Sequence, residues 1–84
     1  GISENIIGEH FKMYPNPTSG ILYIIGEVNN LTQIEIYSIT GQKVMDVKNN
    51  FSEINIDELR SAIYFVKLYS QEGTATFKII KEQI

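Results

Sequence analysis

The sequence predicts an all-β fold, a seven-stranded antiparallel β-sandwich, on three observations. Short runs rich in Ile, Val, Tyr and Phe recur about every 8–12 residues, each closed by glycine, asparagine or proline. Several of these runs alternate apolar and polar residues, the period of a half-buried strand. No segment carries the apolar spacing of an amphipathic helix. A small open barrel is the alternative architecture.

Residues 1–10 lack periodicity and read as a linker or loosely docked arm; residues 11–84 read as the domain. The first strand, 11–14, ends at Tyr14-Pro15-Asn16-Pro17-Thr18-Ser19-Gly20, which holds the chain's two prolines. Each proline fixes its own φ and pushes the preceding residue toward extended or turn geometry. The segment is therefore a rigid corner, and Gly20 is free to take positive φ if the turn asks for it. The second strand, 21–25, closes at Gly26 and Asn29-Asn30. The third, 33–39, places Ile34 and Ile36 on one face and Glu35 on the other. Thr40-Gly41 turns the chain into the fourth strand, 43–47, and Asn49-Asn50 ends it. The fifth, 52–56, pairs Ile54 with Ile56. Residues 57–61 are a loop or a single helical turn. The sixth, 62–69, joins the seventh, 74–80, through a hairpin turn at Gln71-Glu72-Gly73. Phe77 and Ile79 then share one face while Thr76 and Lys78 share the other.

Composition narrows the function classes. With 84 residues the chain is one domain that buries only about 60–65% of its unfolded surface. There is no cysteine, so no disulfide adds stability, and redox compartment stays unspecified. Ten acidic and seven basic residues are intermixed, giving a net charge of −3 without a basic stripe. Nucleic acid is therefore not an expected partner. The apolar runs are far shorter than the roughly 20 residues a transmembrane helix needs. The chain begins at Gly1 without a signal peptide, and reads as a piece of a longer protein.

Reactive chemistry is sparse. His10 is the only histidine and sits in the arm, where it reads as an exposed linker residue. With neither cysteine nor a second histidine, a nucleophile–base pair is hard to assemble. Asp57 and Glu58 are neighbours in a turn and read as solvated charge. No run has calcium-loop spacing. No metal or cofactor is expected. Asn30-Leu31-Thr32 and Asn50-Phe51-Ser52 have the form of a glycosylation triplet but read as turn asparagines. The sixth strand is unusual in being apolar on both faces. Tyr64, Val66 and Leu68 lie on one side, and Ile63, Phe65 and Tyr69, with Lys67, on the other. Either other parts of the chain cover the second face or it is a surface for a partner.

Read together, Tyr14 to Gly20, Ile34-Glu35-Ile36-Tyr37-Ser38-Ile39-Thr40-Gly41-Gln42-Lys43-Val44, Ile56-Asp57-Glu58-Leu59, Ile63-Tyr64-Phe65-Val66-Lys67-Leu68, and Gly73 with Thr76 to Lys81 resemble a type IX secretion system carboxy-terminal sorting domain. The resemblance runs from about residue 11 to 81. It departs at Ala62, where the family usually has glycine. The resemblance implies an immunoglobulin-like sandwich that is a sorting signal and not an enzyme. It implies upstream cargo, passage through the periplasm to the cell surface or beyond, and an outer-membrane translocon with shuttle proteins as partners. It further implies a surface sortase that removes the domain and joins cargo to the surface of a Gram-negative cell.

Within that frame Tyr14, Pro15, Asn16, Pro17 and Gly20 shape the corner, and Gly41 and Gly73 the hairpin turns. Tyr64, Val66 and Phe77 build the core. Lys67, Lys78 and Lys81 are the expected contact residues, on faces expected to be exposed. An exposed last strand also allows weak self-association edge to edge. A carbohydrate-binding or adhesion module on the same sandwich is the alternative function, with Tyr23, Tyr37 and Tyr69 as a platform.

Overall fold

Period-two patterning becomes seven strands in the computed structural model, which describes residues 9–82. These are β1 (Phe11–Tyr14), β2 (Ile21–Gly26), β3 (Leu31–Ser38), β4 (Lys43–Val47), β5 (Glu53–Asn55), β6 (Ala62–Ser70) and β7 (Gly73–Lys81). The arm expected over residues 1–10 lies, up to residue 8, outside the described residues. The limits of β1 and β4 are as expected, and those of the other strands differ by at most two residues. One element is unforeseen, a 3-10 turn at Val28–Asn30 between β2 and β3.

The strands form two antiparallel sheets, β1-β2-β5 and β4-β3-β6-β7. Leu22 and Ile24 of β2, Phe11, Ile54 and Ile56 face Leu31, Ile34 and Ile36 of β3, with Tyr64, Val66 and Leu68 of β6, and Ala75 and Ile79 of β7. All are buried, so alternation along each strand supplies one continuous core and the fold is a sandwich, not an open barrel. Tyr64 packs at one end of it, and its hydroxyl donates to the Arg60 carbonyl at 2.7 Å. A strand tyrosine bonded to backbone a few residues upstream is the tyrosine corner of immunoglobulin-like sandwiches. Here it pins the 57–61 loop against the start of β6.

The turns follow from backbone chemistry. Gly41 has φ +91°, with nothing within 4 Å of where a Cβ would lie, so conformation alone selects glycine there. Gly26 needs glycine twice over: φ is +124°, and a Cβ would sit 2.0 Å from the His10 carbonyl oxygen. Asn50 takes φ +54°, a conformation asparagine tolerates. Ala62 is not among the residues with positive φ, so alanine is unstrained at the family's usual glycine position.

Candidate functional site

The corner before β2 is more than a bend. Both of its X-Pro bonds, Tyr14-Pro15 and Asn16-Pro17, are cis. Between the prolines, the Asn16 side-chain amide behaves as a surrogate peptide group. Its Nδ2 donates to the Lys78 carbonyl at 3.0 Å, and its Oδ1 accepts from the Ile80 amide at 2.9 Å. Thr18 continues the line: its amide donates to the Ile80 carbonyl at 2.9 Å, and its carbonyl accepts from the Glu82 amide at 2.8 Å. Thr18 and Lys81 form a parallel β-bridge. The corner thus satisfies the outward backbone groups of β7 from Lys78 onward, on the very edge that self-pairing would use.

Thr18 itself is buried, and its hydroxyl donates to the Ile21 carbonyl at 2.6 Å while accepting from the Gly20 amide at 3.2 Å. Gly20 does not adopt positive φ, so the expected reason for a glycine is replaced by a spatial one. A Cβ there would lie 2.9 Å from Asp57 Oδ1, and the Gly20 carbonyl accepts from the Ile56 amide at 2.7 Å. Tyr14 lies at the solvent face of β1, its ring stacked on Tyr23 with centroids 5.5 Å apart.

The outer face of the four-stranded sheet carries a polar cluster centred on Glu35, which is buried although it points away from the core. The Tyr37 and Tyr69 hydroxyls both donate to Glu35 Oε1, at 2.6 and 2.5 Å. Gln33 Nε2 donates to Glu35 Oε2 at 3.3 Å and to Asp46 Oδ1 at 2.8 Å. Lys43 Nζ reaches Glu35 at 3.4 Å and Asp46 at 3.2 Å. The tyrosine hydrogen bonds, Tyr37 first, hold the Glu35 carboxyl below its ordinary range. In turn the carboxylate raises the Tyr37 and Tyr69 phenols. Asp46 is lowered chiefly by Gln33, and Lys43 raised chiefly by Asp46. The cluster stitches β3 to β4 and β6, and it satisfies its own groups rather than offering a reactive one.

Beside it, Lys67 lies over the Tyr69 ring, with Nζ 5.2 Å from the centroid. Lys67 is half-buried, Lys78 is exposed, and Ile63 is 39% exposed beside a half-buried Phe65. The second face of β6 is therefore open in part. Lys81 is a correction: it is 3% exposed, not on an open face. Its place in the alternation Phe77, Ile79, Lys81 points it inward, and Thr18 pairs beside it in a parallel β-bridge. Tyr64 and Val66 are core residues as expected, and Phe77 packs against the core while partly buried. Gly73, at φ +145°, opens β7 opposite Ser70.

Tyr23, Tyr37 and Tyr69 do not form one platform, because Tyr23 sits on the other sheet with Tyr14. Sequence reasoning missed Thr18 and the Glu35 cluster. The parity of Glu35 with Tyr37 was visible, but Tyr69 arrives from 34 residues away. Among the described residues, no helix is long and apolar enough to cross a membrane.

The residues that tie the corner to β7 fall within a longer match. Residues 12–82 match the family described as secretion system C-terminal sorting domain. The chain belongs to that family. No curated protein matches the chain closely enough to count as a relative. The family is one of secretion sorting signals and is not a known enzyme family, and this sorting domain serves type IX secretion toward the cell surface or extracellular space. Its partners therefore include the type IX secretion machinery. The two ends of the matched region, Tyr14 to Gly20 and Thr76 to Glu82, are the segments that meet at the β7 edge.

Proposed function

We propose that this sorting domain carries an upstream cargo across the periplasm to an outer-membrane translocon, which reads the folded surface of the last hairpin. The observation that supports this is the outer face of β6 and β7, where Lys67 and Lys78 flank the partly open Ile63 and Phe65. Exposed apolar surface beside charge is the composition of a docking patch. Tyr14, Pro15, Asn16, Pro17, Gly20, Gly41 and Gly73 act by holding the shape, and Tyr64, Val66 and Phe77 by filling it. Lys81 belongs with this second group. A surface sortase then removes the domain and leaves the cargo at the surface.

The test is a reporter fused to the domain in a type IX-competent cell. The charge reversal Lys78→Glu, at an exposed position of β7, leaves both the core and the Glu35 cluster untouched. The reading expects surface reporter to fall to background while the urea midpoint of the domain is unchanged. Normal export of that variant would move the recognition surface elsewhere.

A saccharide-binding reading is favoured by one observation. The Tyr14–Tyr23 stack adjoins a groove of about 450 Å³ lined by Pro15, Tyr23, Asn55 and Asp57. Aromatic faces next to amide and carboxylate groups suit sugar rings and their hydroxyls. Glycan-array binding lost in Tyr23→Ala would support it.

A further inference from the structure

At the end of the sandwich where β1 begins, three chain segments bring together an imidazole and two carboxylates. His10 precedes β1, Glu27 follows β2, and Glu72 occupies the β6–β7 turn. A donor atom from each lies within 4.8 Å of the other two, and His10 Nδ1 stands 3.2 Å from Glu27 Oε2. His10 is half-buried rather than a free linker residue. We propose that His10, Glu27 and Glu72 bind a divalent transition-metal ion, with zinc as the best fit, and that the ion clamps the start of the domain to its last hairpin.

The donor set selects the metal. One imidazole nitrogen with two carboxylate oxygens suits zinc better than magnesium or calcium, which prefer all-oxygen shells. Zinc–ligand lengths of about 2.0–2.2 Å at tetrahedral angles put neighbouring donors about 3.4 Å apart. The His10–Glu27 separation already has that spacing. Glu72 is exposed, and its carboxylate lies within 4.8 Å of both other donors, a gap that a bound ion would close by drawing it in. The fourth position is open to water.

The surrounding backbone fixes the three segments. The Glu27 amide donates to the His10 carbonyl at 3.3 Å, an approach that the absent side chain of Gly26 makes possible. Asn30 Nδ2 holds Glu27 Oε1 at 3.0 Å and leaves Oε2 turned to His10. Such outer partners orient metal ligands. The Gln71 amide donates to the Asn30 carbonyl at 3.1 Å and so anchors the turn that carries Glu72. Among the described residues, neither Glu27 nor Glu72 is paired with a lysine or arginine. Two carboxylates converging without such a partner are relieved by a shared cation.

The chain has one histidine, so its ring resonances report the site without ambiguity. Zinc chloride is titrated into the tag-free 84-residue protein while the His10 ring and the backbone amides are followed by NMR. The proposal expects the His10 ring to shift and saturate at one equivalent, together with the amides of Glu27 and Glu72. Glu72→Gln, in an exposed turn, should keep the native amide spectrum. It should weaken zinc binding at least about tenfold, the scale seen when even an outer-shell partner is lost. Magnesium at the same concentration should leave the ring unmoved. An unmoved His10 ring at millimolar zinc would overturn the site. Equal affinity in Glu72→Gln would reduce it to an ordinary His–Glu contact and overturn the clamp.

Discussion

Asn16 does the work of a peptide group with a side chain, and that makes its chemistry exacting. Asn16→Ala removes two hydrogen bonds to β7, and each is worth about 0.5–1.5 kcal/mol. The site is exposed, so urea denaturation should show a loss of about 1–2 kcal/mol in total. Asn16→Asp keeps the acceptor for Ile80 but turns a carboxylate toward the Lys78 carbonyl, and should be no better than alanine. The glycines separate in the same way. Gly41→Ala meets only the conformational cost of about 1–2 kcal/mol, whereas Gly26→Ala adds a collision with the His10 carbonyl and should cost clearly more. Parallel urea titrations of the two variants check the order.

Glu35 and its tyrosines give the domain a pH signature. A carboxyl lowered from its usual 4.5 adds stability above that pH and loses it as the pH falls through the folded value. Phenols raised from 10.0 add stability below that pH and lose it as the pH rises through theirs. Thermal melts should therefore show a plateau falling away at both ends. Glu35→Gln should flatten the alkaline limb as well as the acid one, because Tyr37 and Tyr69 then face no charge. An unaltered alkaline limb would separate the tyrosines from Glu35.

At the scale of elements, the corner and β7 form one unit although about sixty residues separate them. Without residues 78–84, Asn16 loses Lys78 and Ile80, and Thr18 loses Ile80 and Glu82. Truncation there should abolish export and also raise amide exchange at Thr18, far from the cut in sequence. Most strands were legible because period-two patterning and turn residues are local signals. The inward turn of Lys81 was legible too, since it shares the parity of Phe77 and Ile79; the charge of the residue hid it. The docking of Thr18 on β7 was not legible, because it depends on how two sheets close over one another. The sequence likewise placed Glu35 off the core face correctly, but gave no sign that a tyrosine from β6 would bury it.

For the whole molecule, a chain this small without disulfides depends on its core being complete. Ile36 is fully buried at the centre of β3, between β4 and β6. A carboxylate there cannot stay charged in an apolar interior without a large penalty, so Ile36→Asp unfolds the sandwich and leaves the outer-face lysines in the sequence. Sorting by folded shape and sorting by linear sequence then predict different outcomes. The most direct measurement is the fraction of a fused reporter that reaches the cell surface with the Ile36→Asp domain, against the native domain at equal expression. The folded-label account predicts that the variant's cargo is retained. Export at the native level would contradict it.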